Sequence, residues 1–197
     1  LNFNEFVELV NPTENCIISP RTNENPEYTI KGKSVIIDFS SCNLDSNTTY
    51  KLSCKNAIRD YTEGNLITEH NIVFSTGKYI DSLCITGHII DAYTLENATD
   101  ILIVLHNENT DSTLYNIPYQ YVTISDKKGY FCFTNLPDKD FYISAILDKN
   151  KDFLFSQSDE KIAFHTPIVR PYPIFTDSAK MAENTNIDTC HLLLFEE

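Results

Sequence analysis

The chain has no tryptophan, one methionine and only five glycines in 197 residues. The five glycines stand singly, so no glycine-rich loop is available to cradle a phosphate, and GxGxxG, P-loop and GxSxG patterns are all absent. Lacking tryptophan, the chain also lacks the broadest ring for stacking on a sugar, which argues against a dedicated carbohydrate-binding module. Lysine and arginine total 15 against 28 acidic residues, giving a formal net charge of -13. Such a chain repels polyanions, which excludes nucleic acid and an anionic membrane surface as natural partners. No apolar run approaches the roughly 18 residues of a membrane span. The five histidines, His70, His88, His106, His165 and His191, form no HExxH motif and no i, i+4 pair, so the common zinc-hydrolase signature is missing. Nothing in the spacing supports a Ser-His-Asp or Cys-His site, and the chain reads as non-enzymatic.

What is present is β-forming. Tyrosine contributes 11 residues and phenylalanine 12, and turn signals separate short runs of period two. The stretch Phe74 to Leu83 is the seam between two sets of strands. Before it, Leu1, Phe3, Val7 and Leu9 alternate, Asn11 to Asn15 is a turn cluster, and Val35, Ile37 and Phe39 mark a half-buried strand. Strands spaced every 8–12 residues predict an antiparallel sandwich. After the seam, Ile101 to Leu105 is a continuous apolar run that suits a buried strand. Tyr119 to Ser125 and Tyr130 to Phe133 flank Asp126-Lys127-Lys128-Gly129 and predict a hairpin. Asn107 to Asn116 reads as a polar loop. Pro167, Pro171 and Pro173 predict an extended segment that is neither helix nor central strand. Ala179 to Asn186 is a candidate short helix, and His191 to Phe195 a last strand pairing with the second sheet.

Cys16, Cys42, Cys54, Cys84, Cys132 and Cys190 contain no CxxC. An even count suits an oxidising compartment. Their positions in apolar strands nevertheless predict buried thiols acting as small hydrophobes. Cys42 with Cys54 is the local clip to expect if any pair bridges. His88 and His106 are expected on neighbouring strands. Tyr115, Tyr119, Tyr121, Tyr172 and Phe175 are the rings available for an exposed stacking face, though core packing accounts for most of them.

The first half carries Asn47-Thr48-Thr49-Tyr50, Ala57-Ile58-Arg59-Asp60, Glu63-Gly64-Asn65 and Phe74-Ser75-Thr76-Gly77, in that order. These four signatures resemble the bacterial Ig-like domain of the S-layer-protein type. The resemblance covers about residues 1–77 and implies a first strand upstream of Leu1, as in a piece of a longer, processed protein. Asp60, Glu63 and Asn65 around Gly64 suit a turn that satisfies its own backbone, or a cation site.

The second half carries Ile85-Thr86-Gly87-His88-Ile89-Ile90-Asp91-Ala92, then Thr123 to Phe133, then Asn135-Leu136-Pro137. This string resembles prealbumin-like modules, namely carboxypeptidase regulatory-like domains and the B-type repeats of collagen adhesins. Asp140 stands where that pattern has glycine. The resemblance covers about residues 80–165 and implies a spacer, stalk or accessory role.

One constellation carries possible chemistry. Asp148, Asn150 and Asp152 stand at positions 1, 3 and 5 of a short loop, Leu154 supplies a carbonyl at position 7, and Asp159 stands at position 12 with Glu160 beside it. Oxygen ligands at this spacing wrap a hard cation, so the loop looks like an EF-hand-type calcium loop. Phe153 departs from the glycine expected at position 6, and Asp159 is shorter than the usual glutamate. Calcium is the single cofactor the sequence points to, with a solvated acidic loop as its alternative.

The sequence thus predicts an all-β chain of two tandem β-sandwiches, Ig-like over residues 1–77 and prealbumin-like over 78–197. The resemblances imply a structural or adhesive part of an exported bacterial cell-envelope protein, in a Gram-negative periplasmic or cell-surface setting and lipid-anchored upstream of Leu1. Its partners would be neighbouring domains of the same protein and a surface glycan or protein. Two other readings stand beside this one. The first is a glycan- or peptide-binding module of a nutrient-uptake system. The second is an accessory part of a larger envelope enzyme.

Overall fold

In a computed structural model, the structure describes residues 1–107, 119–173 and 190–195. Internal contacts divide the chain into two compact units, Leu1–Ile80 and Asp81–Glu197. Among the described residues, the regular secondary structure is almost entirely strand, in several mainly antiparallel sheets.

The first unit begins with β1 (Val7–Leu9) and a single helical turn, α1 (Pro12–Asn15), where the sequence predicts a turn cluster. Pro12 opens that turn because its missing N–H has no intrahelical partner to lose. Then follow β2 (Cys16–Ser19), β3 (Glu27–Lys31), β4 (Ser34–Asp38), β5 (Thr49–Cys54), β6 (Ile58–Asp60) and β7 (His70–Ser75). They pair as β2-β5-β7, β3-β4 and β1-β6, all antiparallel. Tyr50, Leu52 and Cys54 alternate inward on β5 and meet Ile18, Val35 and Ile58 in one core. Each fully buried aliphatic side chain there contributes about 1.5–3 kcal/mol. Tyr50 keeps its hydroxyl satisfied by accepting the Asp45 amide at 2.8 Å.

Cys16 and Cys54 face each other across β2 and β5 and form a disulfide. The sequence expectation of a Cys42–Cys54 clip is therefore wrong. Cys42 is a fully buried thiol outside any bridge. The register decides: Cys16 lies directly opposite Cys54, whereas Cys42 belongs to neither strand.

The second unit contains β8 (Leu83–Asp91), β9 (Leu102–His106), β10 (Tyr121–Ile124), β11 (Tyr130–Leu136), β12 (Phe141–Ile146), β13 (Ile162–Val169), β14 (Tyr172–Pro173) and β15 (Cys190–Leu194). One sheet runs β10-β9-β12-β13. The other runs β11-β8-β14, with β15 also on β8. The last strand pairs with β8 in parallel. Between the sheets, Ile85, Ile89, Ile103, Leu105, Ile143, Phe131, Phe133 and Leu192 form the main core. The alternate side chains of the four-stranded sheet, Leu102, Val104 and Ile146, bury under a second layer with Tyr119, Phe155 and Ile162. Two cores explain the uninterrupted apolar run on β9, since both of its faces are covered.

The expected hairpin is instead a corner. β10 pairs with β9 and β11 with β8, so the chain changes sheets at residues 126–129. Asp126 shapes this corner by accepting the Lys128 and Tyr130 amides. Gly129 is held at φ +75°, and a Cβ there would lie 2.5 Å from the Ile89 carbonyl oxygen. The same corner overturns the expected proximity of His88 and His106. His88 is on β8 and His106 on β9, which lie in different sheets. Pro167 falls within β13, an edge strand, where a missing N–H is tolerated. The candidate helix 179–186 and most of the 107–116 loop lie outside the described residues.

Candidate functional site

The 148–160 loop leaves β12 and returns to β13. Asp148 accepts the Phe153 amide at 3.0 Å through Oδ2 and also the Lys151 amide. Asn150 accepts the Asp152 amide, and Asp152 accepts the Leu154 amide at 2.8 Å. Lys151 and Phe153 have φ values of +59° and +64°. Phe153 thus adopts the left-handed conformation for which glycine is the usual residue, at a cost of about 1–3 kcal/mol. Its ring offsets that cost by packing on Tyr119, with centroids 5.5 Å apart, against the second layer.

Glu160 is 1% exposed and holds the loop from within. Its Oε1 accepts the Lys149 amide, and its Oε2 accepts the Ser156 and Gln157 amides at 3.0 and 3.1 Å. Asp159 points elsewhere and pairs with the Lys149 ammonium at 2.6 Å. The structure therefore brings Asp148, Asn150 and Asp152 together in a tight turn, sets Glu160 behind it, and leaves Asp159 outside. Asp148 Oδ1 is buried and has no hydrogen-bond partner among the described residues. Burial pushes the Asp148 carboxyl above its ordinary value, and the nearby Asp152 and Glu160 charges push the same way. Among the described residues, no three His, Cys, Asp or Glu side chains are gathered so as to hold a metal ion as they stand.

A second polar centre, missed at the level of sequence, lies at the end of β8. Asp91 accepts the Tyr93 and Thr94 amides and the Thr94 hydroxyl, and pairs with Lys161 Nζ at 2.7 Å. The bond from Lys161, with the Thr94 amide next, holds its carboxyl well below the usual carboxylate range. A groove of 470 Å³ opens here between the 91–94 turn, Lys161 and Leu194–Phe195. Tyr93, 94% exposed, stands at its rim. The run of polar residues after an alternating strand marks the turn in the sequence. The distant lysine leaves no local sign.

The other singled-out residues that are described lie in turns, cores and ring contacts. Asp60 accepts the Thr62 and Glu63 amides, and Asn65 donates to Glu63, so this turn satisfies its own backbone. Tyr119 and Tyr121 are 7% and 5% exposed and belong to the cores, which removes them from any stacking face. Tyr172 is half-buried against Thr86, to which its hydroxyl is hydrogen-bonded. Tyr115 and Phe175 lie outside the described residues. His88 sits against Tyr130, with ring centroids 4.7 Å apart, and its Nε2 donates to the Lys128 carbonyl.

Residues 1–76 match a bacterial Ig-like domain. The four signatures between Asn47 and Gly77 fall on the β5, β6 and β7 region of this Ig-like unit. No curated protein matches the chain. Among solved structures, BcpA, the major pilin subunit of Bacillus cereus, is 13% identical, with a TM-score of 0.32 over 97% of this chain and 59% of the pilin. An aspartate-to-alanine variant of that pilin is 13% identical, with a TM-score of 0.26 over 94% of this chain and 56% of its own length. The chain thus spans less than three fifths to about three fifths of these neighbours.

Proposed function

We propose that this chain is a non-catalytic pair of β-sandwich modules, Ig-like then prealbumin-like, that spaces or displays neighbouring domains of an exported bacterial surface protein. The observation that carries this reading is the Cys16–Cys54 disulfide inside a unit matching a bacterial Ig-like domain. Disulfides persist in oxidising settings outside the cytosol. The distribution of polar side chains supports a structural role: Asp60, Asp91, Asp126 and Glu160 spend their carboxylates on the backbone of turns. The prealbumin-like reading of the second unit rests on its two-sheet core and its Gly87 and Asn135-Leu136-Pro137 signature. Protease treatment of intact host cells tests the reading. Loss of the chain before lysis is expected, and protection until the cytosol is opened would sink it.

A second proposal concerns the 148–160 loop, where Asp148, Asn150, Asp152, the Leu154 carbonyl and an acid from Asp159 or Glu160 would hold calcium. The observation that favours it is Asp148 Oδ1, a buried oxygen with no bonding partner among the described residues. Glu160 is already engaged by three amides, so closure of the shell would require it or Asp159 to turn. Ligand binding to the folded state raises its melting temperature by mass action. Calcium should therefore raise Tm over a chelator in wild type but not in Asp148→Ala. Equal Tm values in calcium and chelator would end this reading and leave the structural one untouched.

A further inference from the structure

We propose that His106 makes the second unit acid-sensitive, its ring acting as a latch whose protonation loosens the layer that Tyr119, Phe153 and Phe155 form outside the four-stranded sheet. His106 ends β9 and is 4% exposed. Neither ring nitrogen has a hydrogen-bond partner among the described residues. Strand alternation places it on the same face as Leu102 and Val104, both members of the outer layer. Its cross-strand partner on β12 is Tyr142.

Among the described residues, the groups around it offer no charge to offset a proton. Tyr142 on β12 and Tyr119 ahead of β10 are phenols, and Ser144 is neutral. Lys139 lies over the Tyr121 and Phe141 rings of the inner core and would only repel an imidazolium. His165 on β13 pairs with Ile143, an inner-core residue. Asp148 and Glu160 lie beyond the other end of β12, past the Ile146–Leu102 pair. Burial alone pushes the His106 imidazole down to about 4 from an ordinary value near 6.5.

The sign follows from proton counting. Between pH 6.5 and about 4 the unfolded chain carries a proton at this position and the folded chain does not. Stability is full above 6.5 and declines as pH falls toward 4, by up to about tenfold in the folding constant per pH unit. A buried imidazole facing a carboxylate would not behave so, because the opposite charge would hold its protonated form in place.

The test uses the full chain. Thermal unfolding by circular dichroism from pH 7.5 to 4, wild type against His106→Phe, should show an extra loss of up to about 300-fold in the wild-type folding constant. Binding of an apolar dye should rise in wild type near pH 4.5 and less in the variant. Titration of the His106 ring by NMR in the wild type keeps the proposal falsifiable should the variant not fold. A ring titrating near 4 supports the latch. A ring titrating near 6.5 in the folded protein, or identical pH profiles for the two proteins, overturns it.

Discussion

Asp91 and Lys161 are 70 positions apart and meet at 2.7 Å, joining the last residue of β8 to the residue just before β13. The carboxylate also gathers two backbone amides of its own turn. Its folded value is depressed, so its stabilisation is complete above the unfolded value near 3.8 and disappears as pH falls below it. Asp91→Asn should flatten the acid limb of the stability curve between about pH 4 and 2. Unfolding followed across that window checks it. An unchanged limb would mean that the pair does not survive in solution. This window lies below that of His106, so the two effects are separable.

Glu160 is the interior counterpart. Its carboxylate satisfies three amides of a loop that has no regular structure. Glu160→Ala leaves three donors unpaired at a buried position and should cost about 3 kcal/mol or more. Glu160→Gln, which keeps one acceptor, should cost less. Urea midpoints for the two variants would show this ranking. Equal midpoints would mean that water replaces the carboxylate freely.

Gly87 is needed where three strands meet. A Cβ there would collide with the Phe131 ring and approach the Cys190 carbonyl oxygen to 2.6 Å. The parallel strand β15 can therefore lie against β8 only because Gly87 is bare. Gly87→Ala should destabilise the second unit by about 1–3 kcal/mol through overpacking. Thermal unfolding of the variant checks this, and an unchanged Tm would show that Phe131 moves aside without cost.

Much of this architecture was legible in residue order. Alternation on Val35 to Phe39 and on Leu83 to Asp91 marks strands because a half-buried strand leaves a period of two. The four signatures between Asn47 and Gly77 point to the Ig-like unit that the family match confirms over residues 1–76. Relations between distant strands were not legible. The Cys16–Cys54 bridge depends on a register between β2 and β5, and period-two patterns do not state register. Likewise, Asp126-Lys127-Lys128-Gly129 signals a turn in either a hairpin or a corner. Only the pairing of β10 with β9 and of β11 with β8 separates the two. In the 148–160 loop the ligand spacing was visible, but Glu160 turning inward to three amides was not. Asp148, Asn150 and Asp152 do converge, while Asp159 leaves for Lys149.

Asp148 pays for its position. Burial raises its carboxyl value, so ionisation opposes folding at neutral pH in the absence of a cation, and the burden lifts as pH falls toward the unfolded value near 3.8. In calcium-free buffer at pH 7, Asp148→Asn should be at least as stable as wild type. A clear loss of Tm in that buffer would show that the amide bonds from Phe153 and Lys151 outweigh desolvation.

The most direct measurement of the central claim is thiol counting on the protein isolated from its native cells without reductant. Alkylation followed by peptide mass analysis should leave Cys16 and Cys54 joined and modify Cys42, Cys84, Cys132 and Cys190 once the chain is unfolded. That result places the folded chain in an oxidising compartment, as a surface module requires. Alkylation of all six cysteines would contradict both the bridge and the exported, structural role built on it.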